Sequence, residues 1–264
     1  GTAFVLNGDQ DVTVKMTTAI ANGETVTDST TAGTTTVQVT DGGALNTAKI
    51  NADVIKLDVI TAAADITAKS GQTFSVANDT DRMDLVSSSA AGATGDSITI
   101  NALGANLVLG GGTAGAGAAT DVFSTVNVDA STAANTLNAT LGTATDLNIS
   151  GSKAVTVAAT ATAKSVTSTN TAGITVILDG TNDIATITGG SGVDTIRHDT
   201  DAQSIAAVTF TGIDVIALDA AGGDDDLTLT VNSSQISGKA IAVTGTEGTA
   251  ATDEDVLNIA VNAS

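Results

Sequence analysis

The fold prediction for this chain rests first on one short run, Gly189-Gly190-Ser191-Gly192-Val193-Asp194-Thr195-Ile196. Its glycines allow a tight turn whose backbone carbonyls face inward, because glycine adopts backbone angles that other residues avoid. Asp194 supplies a hard carboxylate oxygen, and Ile196 begins the next strand. The run has the form of a glycine- and aspartate-rich nonapeptide repeat. It therefore predicts a chain built from stacked, roll-like turns.

The same residue types predict a calcium site at this turn, because calcium prefers carboxylate and carbonyl oxygens. A full site needs about six to eight oxygens, so Asp194 requires help from neighbouring carboxylates. The candidates that flank the turn are Asp183, Asp199 and Asp201. The alternative is an ordinary glycine turn. A similar run nine residues earlier carries Ala185 in place of the aspartate, so the repeat is degenerate.

A second acidic run follows a glycine turn, and it comprises Gly223, Asp224, Asp225 and Asp226. Crowded like charges are unfavourable unless water or a cation screens them. This run is therefore a second candidate calcium site, and a solvated loop before a strand is the alternative.

The composition predicts a core of small and β-branched side chains. Of 264 residues, 42% are hydrophobic, but there are only four Phe and no Trp or Tyr. Val, Ile, Leu, Ala and Thr suit stacked strands better than a core of varied shapes. Proline is absent, so the turns depend on Gly, Asn and Asp.

The charge excludes several classes of partner. Twenty-nine acidic against nine basic residues give a net charge of −20, which repels nucleic acids and anionic lipid surfaces. No apolar run approaches the roughly 20 residues that span a bilayer, so no membrane insertion is expected. Zero cysteine excludes disulfides and agrees with an exported protein that ions stabilise.

Short alternating apolar runs recur along the chain, and seven of them begin with aspartate. They are Asp11–Val14, Asp53–Leu57, Asp96–Ile100, Asp146–Ile149, Asp214–Leu218, Asp226–Leu229 and Asp255–Ile259. A period of two predicts strands. Their even spacing predicts an all-β fold, a β-solenoid or β-roll of stacked short strands with ladders of Thr and Asn.

Differences in composition along the chain predict three parts. Residues 1–88 form a β-rich part that is either a β-sandwich or the start of the solenoid. Residues 89–120 are rich in Ala and Gly and predict a loop or boundary. Residues 121–264 form the solenoid-like part that contains the predicted calcium turn. No stretch has a convincing helical period, so helix content should be low.

Catalysis and nucleotide binding are not expected. His198 is the sole histidine, and its neighbours Arg197 and Asp199 predict a surface turn. Without Cys or Tyr, acid–base chemistry would depend on carboxylates alone. Residues 110–115 match the dinucleotide pattern G-x-G-x-x-G, but strand-like alternation follows where a helix is required. We therefore predict that the protein is not an enzyme.

The glycine–aspartate turn, the Thr-, Ala- and Asp-rich composition without Cys, and the run Thr209–Ile216 together resemble bacterial surface-layer proteins of the RTX class. Large RTX adhesins are similar. The resemblance implies that calcium is held between successive turns by the repeat's glycine carbonyls and aspartate. By position these are Gly189, Gly190, Gly192 and Asp194.

The resemblance also implies a structural protein of the bacterial cell surface, secreted unfolded by a type I system and assembling with copies of itself into a lattice. Anchoring, for example to lipopolysaccharide, would involve regions outside this segment, which we expect to be part of a longer chain because Gly1 stands where an initiator Met would be. The alternative is a calcium-dependent adhesin stalk that binds a surface ligand. A flagellin-like outer domain would require long heptad-patterned helices, which the sequence lacks.

Overall fold

A computed structural model describes residues 3–30, 32–61, 64–77, 81–89, 95–111, 123–158, 161–178, 184–200, 203–219, 227–245 and 254–261. Every strand pair whose residue register is defined in these ranges is parallel. The prediction of an all-β, solenoid-like stack of short strands is confirmed. The chain divides into two compact units, Gly1–Asn135 and Thr136–Ser264.

Unit 1 contains the helix α1 (Thr18–Gly23) and a series of short strands. They are β1 (Ala3–Leu6), β2 (Val12–Met16), β3 (Thr25–Asp28), β4 (Thr35–Val39), β5 (Leu45–Asn46), β6 (Val54–Leu57), β7 (Ala64–Ala68), β8 (Thr73–Val76), β9 (Met83–Ser87), β10 (Ser97–Ala102), β11 (Asn106–Gly111) and β12 (Thr125–Ala130).

Unit 2 contains the one-turn helix α2 (Ser233–Ile236) and begins with a long bulged strand. Its strands are β13 (Asn135–Gly151), β14 (Val155–Val157), β15 (Thr162–Ser168), β16 (Ile174–Leu178), β17 (Thr186–Thr188), β18 (Thr195–His198), β19 (Gln203–Ser204), β20 (Thr209–Thr211), β21 (Val215–Leu218), β22 (Thr228–Asn232), β23 (Ala242–Gly245) and β24 (Val256–Ala260).

Unit 1 is a stack of turns with two main sides. One ladder runs through β2, β4, β6, β8, β10 and β12, and the other runs through β5, β7, β9 and β11. The chain alternates between the two ladders, so most turns comprise two strands and two corners. Thr36 pairs with Val54, 18 residues later, whereas Ser97 pairs with Thr125, 28 residues later. The turns therefore differ in length at their corners.

Continuous apolar rows form the core of unit 1. The parallel register places Val37, Ile55, Phe74, Ile100 and Val128 one above the other, and all five are fully buried. Neighbouring strands lie about 4.8 Å apart, so each side chain of the row packs on the next. Period-two alternation of apolar and polar residues therefore becomes an inner apolar row and an outer polar row.

Unit 2 has the same plan of stacked parallel ladders, including a third ladder of three strands. Its ladders run through β13, β15, β17 and β20, and through β14, β16, β18, β21 and β23. A third ladder comprises β19, β22 and β24. The core row of the first ladder contains Leu147, Val166, Ile187 and Phe210.

The outer face of unit 2 carries rows of short hydroxyl and amide side chains, as the sequence predicted. One row is Asn148, Thr167, Thr188 and Thr211, and another is Thr156, Thr175 and Thr195. The Thr-rich composition thus has a structural cause. β-branched residues fit the pleated surface, and stacking equivalent residues turns each outward position into a ladder.

The sandwich alternative for residues 1–88 is wrong, because sandwiches are built from antiparallel strands and this part of the chain pairs in parallel. The predicted loop or boundary over residues 89–120 is also wrong for residues 97–102 and 106–111, which form β10 and β11. There the alternation of Ile98, Ile100 and Ala102 outweighs the local Ala and Gly content. Residues 90–94 and 112–120 lie outside the described residues.

Helices contribute little to either unit. Within the described ranges, α1 and α2 comprise six and four residues, and no helix there has the length and apolar character needed to cross a bilayer.

Candidate functional site

The predicted calcium turn is a corner between two strands of one turn of unit 2. Residues 189–194 connect β17 to β18. Ile187 and Ile196, nine positions apart, are both buried and lie on different ladders. The nonapeptide therefore spans half of one turn, from a strand of one ladder across a corner to a strand of the other. Asp194 ends that corner, immediately before β18 begins.

Asp194 is the centre of this corner, and its side chain is 0% exposed. Its Oδ1 accepts a hydrogen bond from the Ile174 N–H at 2.9 Å, and its Oδ2 accepts one from the Gly190 N–H at 2.6 Å. Ile174 belongs to the preceding turn. In the following turn Asp214 repeats the arrangement, because its Oδ2 accepts the Asp194 N–H at 2.9 Å. The aspartates thus connect three successive turns.

The environment of Asp194 disfavours the charged form of its carboxyl. Burial raises the pKa of its carboxyl, hydrogen bonds from Ile174 and Gly190 oppose that rise, and the negative charge of Asp214 adds to it. A raised folded-state pKa means that this group favours folding below its unfolded pKa, about 3.9, and that this benefit is lost as the pH rises through the folded value. The charged form of the Asp194 carboxyl is therefore disfavoured in the folded chain.

The corner glycines allow successive turns to approach closely. A Cβ on Gly189 would collide with the Gly212 carbonyl oxygen, and a Cβ on Gly192 would collide with the Gly173 backbone nitrogen. Gly173 and Gly212 also have positive φ angles of 91° and 64°, which favour glycine. The glycines predicted from the sequence thus have a packing role at this corner.

We expect Gly189→Ala to destabilise unit 2 by about 1–3 kcal/mol, because backbone of the adjacent turn must move to admit the methyl group. Urea unfolding measures the change. Gly23→Ala is the control, since a Cβ there meets no atom within 4 Å. Equal midpoints for the two variants would contradict the close approach of Gly189 and Gly212.

The structure does not bring Asp199 to this corner. Asp194 precedes β18 and Asp199 follows it, so at about 3.3 Å per residue their backbones are roughly 16 Å apart. Asp199 instead lies 3.8 Å from the Arg197 guanidinium. The other predicted ligands, Asp183, Asp201, Gly223, Asp224, Asp225 and Asp226, lie outside the described residues.

The described residues around Asp194 do not by themselves fit a calcium ion. N–H donors, which repel a cation, point at both carboxylate oxygens. Throughout the part of the chain that the structure describes, no group of three or more His, Cys, Asp or Glu is placed to hold a metal. Calcium binding through the acidic runs outside those residues stays a prediction.

His198 does not lie in a surface turn, so that prediction is wrong. It is the last residue of β18 and is fully buried. The register places it between Leu178 and Leu218 in an inner row. The alternation that points Ile196 inward also points His198 inward, and this pattern outweighs the polarity of its neighbours.

The aspartates that precede strands elsewhere act in the same way as Asp194, a role that the sequence did not reveal. Asp53 Oδ2 accepts the Thr35 N–H at 2.8 Å, and Asp11 Oδ1 accepts the Thr34 N–H at 2.8 Å. Asp255 Oδ1 accepts the Leu227 N–H at 3.3 Å. Each bond joins two turns at a corner, where the regular ladder of backbone hydrogen bonds ends.

Buried amide side chains provide a second kind of connection between turns. The Gln72 Nε2 donates to the carbonyl oxygens of Thr47 and Ile50 at 3.0 and 2.9 Å. The Asn170 Nδ2 donates to the Lys153 carbonyl at 2.7 Å. Such amides satisfy carbonyls that corners remove from the ladder, and each contributes about 1 kcal/mol to stability.

Several carboxyls that are at least partly exposed have pKa values below the ordinary value, because neighbours donate hydrogen bonds to the charged form. The largest contributions come from the Thr30 hydroxyl for Asp28, the Thr18 N–H for Asp41 and the Gln38 amide for Asp58. Burial raises the pKa of Asp146, but hydrogen bonds from Ser165 and Lys164 together outweigh it.

These lowered values predict a pH dependence of stability. A carboxyl with a lowered pKa stabilises the fold fully above its unfolded pKa, about 3.9, and loses that contribution as the pH falls through its folded pKa. Asp41→Asn should therefore be less stable than the natural chain at about pH 6, and the gap should narrow towards about pH 3. Urea midpoints measured across this range test it. A gap that widens in acid would contradict the assignment.

The glycines of the dinucleotide-like pattern belong to a strand. Gly110 and Gly111 end β11, and residues 112–115 lie outside the described residues. A Cβ on Gly110 would collide with Oδ1 of buried Asp84. Arg82 forms a bidentate ion pair with that carboxylate, with Nε–Oδ1 2.7 Å and Nη2–Oδ2 2.9 Å. Gly110 thus makes room for an ion pair on the adjacent strand.

The fold defines the class of this chain, a parallel β-solenoid with two strands in most of the described turns and a third strand in some turns of each unit. No protein-family model matches the chain, and comparisons with curated proteins and with solved structures found no match.

Proposed function

We propose that this protein is a structural building block of a bacterial surface layer that calcium stabilises and that assembles with copies of itself. The observation that carries the proposal is the regular stacking of short parallel turns, with outer walls made of Thr and Asn ladders. Each turn contacts mainly its neighbours, which is the design of extended repeat proteins. The proposal includes no catalytic role.

The charge of the chain supports a dependence on calcium. A net charge of −20 opposes compaction and association. Burial and the nearby charge of Asp214 also disfavour the charged form of Asp194 within unit 2. Cations that bind the folded chain at its acidic runs would offset the net charge. A ligand that binds only the folded state at 100 times its Kd adds about 2.7 kcal/mol of stability.

Thermal unfolding tests the calcium dependence. We expect Tm to rise by several degrees in millimolar calcium and to return to its starting value when chelator is added. Magnesium at equal concentration is the control, since it has the same charge but demands a tighter octahedral geometry. Equal Tm values in calcium, magnesium and chelator would remove calcium from the proposal.

A polar groove in unit 2 favours a second candidate, an adhesin stalk that binds a surface ligand. The groove has a volume of about 260 Å³, and Thr209, Thr211, Asn232 and Lys239 line it. The Lys239 Nζ donates to the Phe210 carbonyl at 2.9 Å and lies 5.0 Å from that ring's centre. Hydroxyl, amide and ammonium groups suit a saccharide.

Titration calorimetry with lipopolysaccharide oligosaccharide tests this second candidate. The natural chain should release or absorb heat on binding, and the Lys239→Ala variant should not. No binding heat from the natural chain would eliminate this candidate.

A further inference from the structure

The last turn of unit 2 leaves its apolar rows uncovered. Val243 continues the row of Ile196 and Ile216, both 0% exposed, but is itself 50% exposed. Ile259 stacks on fully buried Val231 and is 52% exposed. Solenoids that end in solution usually close with a polar cap. This end has apolar side chains where a cap would lie.

The backbone of the same turn is also open. Among the described residues, β23 pairs only with β21, and β24 pairs only with β22. Within the described ranges, each strand therefore has a row of N–H and C=O groups along its outer edge that no other described strand pairs with. Such an edge is a template for another parallel strand.

The first turn of unit 1 has a matching edge. In the described part of the chain, β1 pairs only with β3 and β2 pairs only with β4. Phe4 stacks on Val26, which is 1% exposed, but is itself 39% exposed. Val14 likewise lies over fully buried Val37 and is only half-buried.

The two edges are alike in length, order and polarity. β1 and β2 comprise four and five residues, and β23 and β24 comprise four and five residues. Both edges belong to parallel ladders. A strand of one edge placed on the other would extend each ladder and stack apolar rows on apolar rows.

From this match we propose that copies of the chain join end to end, with β1 and β2 of one copy adding in parallel to β23 and β24 of another. The inference rests on the proposed self-assembly and names the surface that performs it. The contact is heterologous, so it leaves a free edge on each partner and growth continues. The negative charge of both partners slows joining, so cations should promote it.

Blocked variants test the contact. Val243→Lys with Ile259→Lys blocks one edge, and Phe4→Lys with Val14→Lys blocks the other. The matched control, Thr156→Lys with Thr175→Lys, places the same charges on an outer row. Light scattering in millimolar calcium should show growth of the natural chain and the control but not of either blocked variant. An equimolar mixture of the two blocked variants should stop at dimers, because each retains one complementary edge.

The outcomes separate this inference from the proposed function. If the natural chain and both blocked variants all grow, the edges are not the contact, although self-assembly stands. If the natural chain shows no increase in particle size, both the end-to-end contact and the proposed self-assembly are contradicted. Hydrogen exchange of the natural chain gives a reading independent of variant folding: amides of β1, β2, β23 and β24 should gain protection as particles grow. Unchanged exchange there in growing particles would overturn the inference.

Discussion

Phe74→Ala should destabilise unit 1 by about 3–5 kcal/mol. Phe74 is fully buried between Ile55 and Ile100 in a continuous apolar row. Truncating it removes apolar burial and leaves a cavity that the adjacent turns cannot fill, because their backbones are fixed by parallel hydrogen bonding. Urea unfolding followed by circular dichroism measures the loss.

Phe4→Ala is the matched control for this substitution. Phe4 is 39% exposed and has a buried neighbour on one side only, so its truncation should cost about 1 kcal/mol. If the two variants lost equal stability, Phe74 would not lie in a closed row, and the stacking order of unit 1 would be wrong.

Asp194→Ala should destabilise unit 2 by about 2–4 kcal/mol at neutral pH. The substitution leaves the N–H groups of Ile174 and Gly190 without their acceptor, and each buried, unsatisfied group costs about 1–3 kcal/mol. Because burial and Asp214 disfavour the charged Asp194 carboxyl, removing that carboxyl recovers part of the lost stability. Asp194→Asn should be intermediate, because its amide has one oxygen for the two donors.

Asp65→Ala provides the comparison on an exposed strand position, where we expect a change within about 0.5 kcal/mol. Hydrogen exchange locates the effect: in Asp194→Ala the Ile174 and Gly190 amides should exchange faster than in the natural chain. Unchanged protection of both amides would contradict the role of Asp194 as their acceptor.

The strands of unit 2 could be predicted from the sequence because inward and outward positions alternate along many of them. The run Thr209–Ile216, which the sequence analysis selected, stacks on the run that contains Gly189 and Asp194: Ile187 pairs with Phe210 and Ile196 with Ile216. The ladders of Thr follow from the same alternation. Local pattern was therefore sufficient for strand position and fold class.

The assignment of strands to successive turns could not be predicted, because the corners differ in length and the sequence repeat is therefore irregular. β17 and β18 are separated by six residues, whereas β20 and β21, one turn later, are separated by three. Such insertions shift the period without disturbing the strands. The N-terminal sandwich alternative remained open for this reason, since parallel and antiparallel partners give the same short alternating runs.

The partners of the corner aspartates also lay beyond sequence reasoning. The sequence placed Asp194 at a turn, but its hydrogen-bond donors are backbone amides, which leave no residue-type signal. One of them, Ile174, is 20 positions away in another turn. The recurrence of aspartate immediately before strands was the available signal, and it indicates connections between turns as well as ion ligands.

Electron microscopy of the natural chain, first in millimolar calcium and then after chelator, tests the proposal of calcium-dependent assembly most directly. We expect ordered assemblies in calcium that disperse when chelator removes the ion, because cations must offset the net charge of −20 before copies can pack together. Dispersed single particles in both conditions would contradict the proposed self-assembling surface-layer function.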